Sequence, residues 1–326
     1  MTKEMKRVLV TGALGQIGTA LLPVLIERFG ATNIIASDIK PASAAKLPSE
    51  LIYENLDVRQ ADQIAALVRK HQIDTIFHMA AILSASGEKN PHLAWEVNLL
   101  GTYNILEVAR ELELVRVFVP SSIAVFGPET PRENTPQDTV LSPTTMYGVT
   151  KVAGESLCEY YHLRYGLDVR GLRFPGIISS ETPPGGGTTD YAVEIFYRAV
   201  EGQPYTCFVR PDTVLPMMYM PDCLKATLQL MEADPQCLRY RIYNVTALSF
   251  SAEELAREIG KHVPGFRVEY EPDFRQEIAD SWPRTIDDSA AREDWGWQPD
   301  YDLTNMVEDM LARLKQRLAR EKGRAP

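Results

Sequence analysis

Up to about Val119, short runs of apolar and β-branched residues alternate with longer stretches in which apolar side chains recur at helical spacing. The short runs suit strands buried on both faces and the longer ones give a helix a single apolar stripe, so the alternation feeds βαβ units and a parallel sheet. Strands are expected at Arg7–Val10, Asn33–Ser37, Leu51–Glu54, Thr75–His78 and Arg116–Val119. Ile17, Ala20, Leu21, Val24 and Leu25 form an apolar face ahead of the glycine stop at Gly30, and further helices are predicted over Gln60–Lys70, Ala94–Glu111 and Met146–Tyr165.

Beyond Arg173 the rhythm changes. Thr182-Pro-Pro-Gly-Gly-Gly187 reads as a loop, followed by a helix at Tyr191–Glu201, strands near Cys207–Arg210 and Ile242–Val245, and a helix opened by Ser251-Ala-Glu-Glu254 at capping-box spacing. Met217-Met-Tyr-Met220 reads as packing, and a charged helix over Leu303–Arg320 leads into a frayed Arg/Lys-rich end. Without repeats or low-complexity linkers, the expected architecture is α/β: a doubly wound parallel sheet with a smaller C-terminal α/β lobe packed on it. Residues 1–176, completed by parts of 217–246, make the first unit, and 177–326 mainly the second.

At 326 residues, 45% hydrophobic and 24% charged, the chain has the composition of a folded protein with a large core. Its 34 Lys and Arg against 44 Asp and Glu give a net charge of −10, the wrong sign for gripping nucleic acid phosphates or an anionic membrane surface. No run approaches the length of a membrane span, and the apolar run before Thr11 is too brief for a signal peptide, so a cytoplasmic setting is expected. Cys158, Cys207, Cys223 and Cys237 form no Cys-x-x-Cys pair, and the five histidines lie at no metal-ligand spacing, so no metal is expected. A small-molecule substrate remains.

Val8-Leu-Val-Thr-Gly12-Ala-Leu-Gly15-Gln-Ile-Gly18 is a buried strand that breaks into glycines where a helix begins. A dinucleotide pyrophosphate needs such a place, because it must reach backbone N–H groups and a helix N-terminus with no Cβ in the way. Gln16 and Ile17 open that helix. Asp38 ends the second strand about 20 residues after Gly18, where a carboxylate accepts from an adenine ribose and repels a 2′-phosphate, favouring NAD over NADP. Lys40 nearby works against that preference. Asp57 and Val58 follow the third strand, where an adenine would lie, and Ala80 and Ala81 follow the fourth, where small side chains leave room. Taken singly, the glycines also fit a tight turn, Asp38 a cap, Asp57 a loop and the alanines close packing.

Tyr147 and Lys151 stand one helical turn apart, which sets an ammonium beside a phenol and would favour the phenolate; Ser122, after the fifth strand, offers a hydroxyl to a reacting oxygen. A surface helix pair would have the same spacing.

This glycine motif with Ser122, Tyr147 and Lys151 resembles the extended short-chain dehydrogenase/reductases, and the likeness runs on through Ser121-Ser-Ile-Ala-Val-Phe-Gly127 and Trp295-Gly-Trp-Gln-Pro299. The resemblance implies a Rossmann domain with bound NAD(P) and a smaller lobe over the nicotinamide. Arg173-Phe-Pro-Gly-Ile177 lacks the asparagine that nucleotide-sugar epimerases and dehydratases of that family carry there. Leu83-Ser-Ala-Ser-Gly-Glu88, Arg173-Phe-Pro-Gly176 and Pro184-Gly-Gly-Gly-Thr-Thr-Asp-Tyr-Ala-Val-Glu194 are more similar to the short-chain-type L-threonine 3-dehydrogenases.

That closer likeness implies Ser84, Ser122, Tyr147 and Thr188 facing the amino acid and Asn98, Pro175 and Ile177 near the cofactor. It also implies a homodimer built on Ala94–Glu111 and Met146–Tyr165. The expected reaction is NAD-dependent, metal-free oxidation of L-threonine at C3 to 2-amino-3-oxobutanoate. Tyr147 would be the base, Ser122 would orient the oxygen, and Lys151 would lower the tyrosine pKa and hold the ribose. Backbone N–H groups of a mobile Gly185–Gly187 loop are expected to help hold the substrate. A nucleotide-sugar 4-epimerase or dehydratase and a non-catalytic NAD-binding regulator are the alternatives.

Overall fold

The computed structural model describes residues 4–44 and 47–322. Across the central sheet the strands run Ile242–Asn244, Val169–Phe174, Arg116–Phe118, Thr75–His78, Val8–Thr11, Ile34–Asp38 and Ile52–Asn55, with Ser121–Ser122 paired beside Val169–Phe174. Every pairing is parallel. Val8–Thr11 pairs with Ile34–Asp38 on one edge and Thr75–His78 on the other, so the order of strands reverses there, and a crevice opens at the strands' C-terminal ends. These three strands are buried throughout, which is why their apolar residues follow one another without polar alternation. The chain thus has the doubly wound Rossmann-like α/β fold its pattern predicts.

Several elements match their expected bounds because their stops are written locally. Met146–Tyr165 begins at Thr145, whose hydroxyl accepts from Gly148 N, and ends at Gly166 in the left-handed conformation; Tyr191–Glu201 ends the same way at Gly202. The capping box at Ser251 and Glu254 forms, opening Ala252–His262. The expected helix Ala94–Glu111 is instead three pieces: Pro91–Ala94, a π-helical segment Trp95–Leu100, and Gly101–Glu111. The widened turn carries Asn98 inward, and Gly101 packs so closely on Val58 that a Cβ would lie 2.9 Å from Val58 Cγ2.

The expected strand Cys207–Arg210 is also displaced. Tyr205–Cys207 pairs with Val268–Tyr270, while Phe208 and Val209 leave the ladder to fill the core. Met217 to Met220 are buried, as packing requires, but they span the end of a strand, Val214–Tyr219, and the start of a helix absent from the sequence-based expectation, Met220–Glu232, with Pro221 in its first turn. A second sheet joins Gly176–Ile178, Val214–Tyr219 and Leu248–Ser251. The last helix runs Leu303–Lys322, and the end expected to fray, 323–326, lies outside the described residues.

Three buried clusters underlie this arrangement. Two cover the faces of the central sheet, one of them recruiting Met218, Cys223, Leu230, Tyr243 and Trp297 from the second half of the chain. The third joins Val125 and Phe126 to Ile178, Phe196, Leu255 and Met310, and so welds the C-terminal portion to the mouth of the crevice. Among the described residues no helix is long and apolar enough to cross a membrane.

Candidate active site

At the mouth of the switch point lies a cavity of about 590 Å³. Its floor is the turn after the first strand. Gly12 has φ +63°, and a Cβ on it would sit 2.5 Å from Ala80 N; at Gly18 a Cβ would sit 2.3 Å from Gly12 O. Both positions therefore demand glycine, one for its left-handed backbone and both for close approach. Gly15 is the N-cap of the helix Gln16–Phe29, with no capping side chain and no acidic residue in the first turn, so the positive end of the helix faces the cavity unmasked. Gly15, Gln16, Ile17 and Gly18 all border the cavity, and Gln16 Nε2 reaches Ile177 O at 3.5 Å across it. This uncapped glycine cradle is what a dinucleotide pyrophosphate requires.

Asp38 is buried at the end of its strand, where its carboxylate accepts from Leu14 N at 3.0 Å and Lys40 N at 3.1 Å. Those bonds fix the carboxylate beside the cradle, and Lys40 itself borders the cavity. Asp57 is engaged by Arg59, which holds its carboxyl below the usual range and also pairs with Glu96. Val58 is buried against Gly101, and its carbonyl accepts from Asn104 Nδ2.

The helix Met146–Tyr165 and the segment Pro120–Ser122 bring the reactive set together. Tyr147, Lys151 and Ser122 border the cavity, Lys151 Nζ donates to Pro120 O at 2.7 Å, and the same ammonium lies 5.5 Å from the Tyr147 ring centroid. Burial pushes the Tyr147 phenol up to about 12, with a hydrogen bond from Ser122 pulling the other way. Burial pushes Lys151 down to about 8, with Cys158 and Glu155 opposing it. In the chain alone desolvation is the largest cause of both shifts, and the phenol is held above its ordinary value. The two shifts mark this pair as perturbed by its cleft.

Opposite the cradle, Ser84 Oγ and Thr188 Oγ1 meet at 3.2 Å although 104 positions separate them, and both border the cavity. Ser84 opens a short helix, Ser84–Lys89, whose Glu88 accepts from Met146 N at 2.7 Å and so docks onto the start of the Tyr147 helix. Among the described residues Asp190 is the only carboxylate on the cavity wall. It had no assigned role, and it corrects one expectation: the N–H groups of Gly186 and Gly187 both donate to Asp190 Oδ2 at 2.8 Å, so the carboxylate pins the glycine loop and takes these donors from any substrate. Burial raises the Asp190 pKa, and those N–H bonds oppose it. Trp282, also unforeseen, closes the wall from the C-terminal portion.

Ala81, Pro175 and Ile177 line the cavity, while Ala80 sits behind it against Gly12. Asn98 does not border the cavity. It is buried, and its amide accepts from Ile82 N at 2.7 Å while donating to Ile82 O and Thr150 Oγ1. It therefore braces the loop that carries Ala81 and Ser84. No group of His, Cys, Asp and Glu among the described residues is placed to hold a metal ion.

The model of the NAD dependent epimerase/dehydratase family matches residues 8–246. The L-threonine 3-dehydrogenase, mitochondrial, of Bos taurus is 51% identical over 310 residues, covering 94% of this chain and 82% of that protein. Among solved structures, the L-threonine dehydrogenase from Phytophthora infestans superposes with a TM-score of 0.92 at 54% identity, covering 96% of this chain and 100% of that one. A monomeric L-threonine 3-dehydrogenase from a metagenome superposes with a TM-score of 0.92 at 49% identity, over 95% of this chain and 99% of that one. With its glycine cradle in place and its matched span covering the whole central sheet, the chain belongs to the NAD dependent epimerase/dehydratase family.

Proposed function

We propose that this chain oxidises the C3 hydroxyl of L-threonine with NAD⁺, giving 2-amino-3-oxobutanoate and NADH. The observation that carries the reading is the single cavity on which the Ser122, Tyr147 and Lys151 set faces the Ser84 and Thr188 pair. Relatives at about half identity that bear the name L-threonine 3-dehydrogenase support it. The cradle at Gly12, Gly15 and Gly18, with Asp38 beside it, would hold the dinucleotide, which when bound supplies the hydride acceptor.

The chain's own residues do the rest. Ser122 donates to the substrate oxygen, Tyr147 Oη as phenolate takes the hydroxyl proton and becomes the phenol, and the Lys151 ammonium lends the positive charge that favours the phenolate beforehand. Ser84 and Thr188 bind the small polar end of the amino acid, and Asp190 sets an anion on the wall where an ammonium is complementary. In this reading residues 1–176 with parts of 217–246 are the cofactor unit, and most of 177–326 shapes the substrate wall.

Two further features fit the same picture. Trp95, Leu100 and Tyr103 on one helical stretch and Val149, Tyr160 and Leu163 on the helix packed beside it are exposed, an apolar face suited to a homodimer. Cys158, Cys207 and Cys223 are buried free thiols, which a reducing cytoplasm preserves. The deciding experiment follows NADH absorbance with a panel of free amino acids and isomerisation with UDP-hexoses. Turnover confined to L-threonine supports the reading, interconversion of UDP-hexoses replaces it with an epimerase, and NAD⁺ binding without either turnover points to a regulator.

A further inference from the structure

Two hydrogen bonds fasten the Pro120–Ser122 segment to the helix Met146–Tyr165: Lys151 donates to Pro120 O, and the Ser121 hydroxyl donates to Glu155. The proposed chemistry uses the residues of the first and leaves the second unexplained. Glu155 stands one turn beyond Lys151 on the same helix face, and its side chain is only 9% exposed. Arg173 grips it through Nε at 2.9 Å and Nη2 at 2.8 Å. Arg173 is in turn fixed by Gln137 O and Asn244 Oδ1 and lies over the Phe126 ring. A buried ion pair of this kind contributes little stability that well-packed apolar residues would not supply, so its position calls for another reason.

We propose that Glu155 is a positioning residue for Lys151: its carboxylate, oriented by Arg173 and Ser121, is the counter-charge that keeps Lys151 an ammonium ion beside the Tyr147 phenol. The inference rests on reading Tyr147 and Lys151 as the reacting pair. The groups facing Lys151 are Tyr147, Glu155 and Cys158 from its own helix and His78 from the end of the Thr75–His78 strand, with Arg173 behind Glu155. Near neutral pH most of these carry no charge. Burial pushes the Cys158 thiol far up, the Tyr147 phenol up to about 12 and the His78 ring down to about 3. Glu155, four positions further along the same helix face, is therefore the carboxylate of this set that opposes the desolvation pushing the ammonium down to about 8.

The test measures the titration of Lys151 in the cofactor-free chain, from the pH dependence of its acetylation by acetic anhydride as read by peptide mass spectrometry. Lys151 borders the cavity, so a small reagent reaches it. Glu155→Gln is expected to lower the midpoint by about one pH unit, and Glu155→Asp, which keeps the charge, to restore most of it. Because Glu155→Gln leaves Arg173 buried without its partner, the double variant Glu155→Gln with Arg173→Met serves if the single one fails to fold; it too is expected to lower the midpoint, by less. An unchanged or raised midpoint in whichever variant folds overturns the proposal. With L-threonine and NAD⁺, the pH at which the rate levels off should fall in step. A wild-type chain that ignores threonine would remove the proposed function while leaving the lysine titration to stand or fall by itself.

Discussion

Tyr147 and Lys151 show how a residue pair can be visible in sequence while its electrostatics are not. The spacing names the partners, but the shifts, up for the phenol and down for the ammonium, come from burial that only the folded cleft creates. Their signs make a pH prediction. Below about 8 the ammonium persists, and each unit of rising pH gives about tenfold more phenolate, so the rate of threonine oxidation should climb steeply; above about 8 the gain is offset by loss of the ammonium, and the profile flattens. Initial rates across this range test it, and a rate falling with pH would contradict it. Tyr147→Phe should cost about 10²–10⁴-fold in kcat while leaving NADH binding, followed by fluorescence, nearly intact. Asp38 was likewise legible from its place at a strand end, and its two backbone bonds fix its carboxylate beside the glycine cradle. In the proposed binding mode, repulsion between that carboxylate and a 2′-phosphate, on the order of 1–4 kcal/mol, should give about fivefold or greater preference for NAD⁺ over NADP⁺ in kcat/KM. Equal values would mean that Lys40 dominates.

At the scale of elements, legibility followed locality. Both ends of Met146–Tyr165 are set by neighbours in sequence, Thr145 and Gly166, so the helix could be read outright. The π-helical segment Trp95–Leu100 could not, because Asn98 turns inward to reach Ile82, a partner from another loop. Ser84 and Thr188 were reached through family likeness, since no periodicity links two hydroxyls 104 positions apart. Asp190 escaped notice because its partners are backbone N–H groups, which leave no pattern. In the proposed reaction the pinned loop offers Thr188 to the substrate and not to the dinucleotide. Thr188→Ala should therefore raise KM for threonine several-fold and leave the Kd for NADH almost unchanged, as parallel kinetics and titration would show. An equal loss in both would place Thr188 on the cofactor.

For the whole molecule, the exposed apolar residues on two adjacent helices make an association prediction. Leu163 is 75% exposed at the edge of this face, and burying a leucine contributes about 1.5–3 kcal/mol. Wild-type chain should sediment as a dimer and Leu163→Glu should shift it toward monomer, with the Tm of the folded unit little changed. Identical sedimentation of the two would show that this face is not the contact, as for a relative that is monomeric.

Trp282 and Leu14 border the same cavity from opposite ends of the chain. The sheet that carries the glycine cradle is likewise covered on one face by Met218, Cys223 and Trp297, so cofactor cradle and substrate wall both wait for the far end of the chain. Dinucleotide binding, which needs that finished cradle, would therefore favour the folded state of the whole chain by mass action.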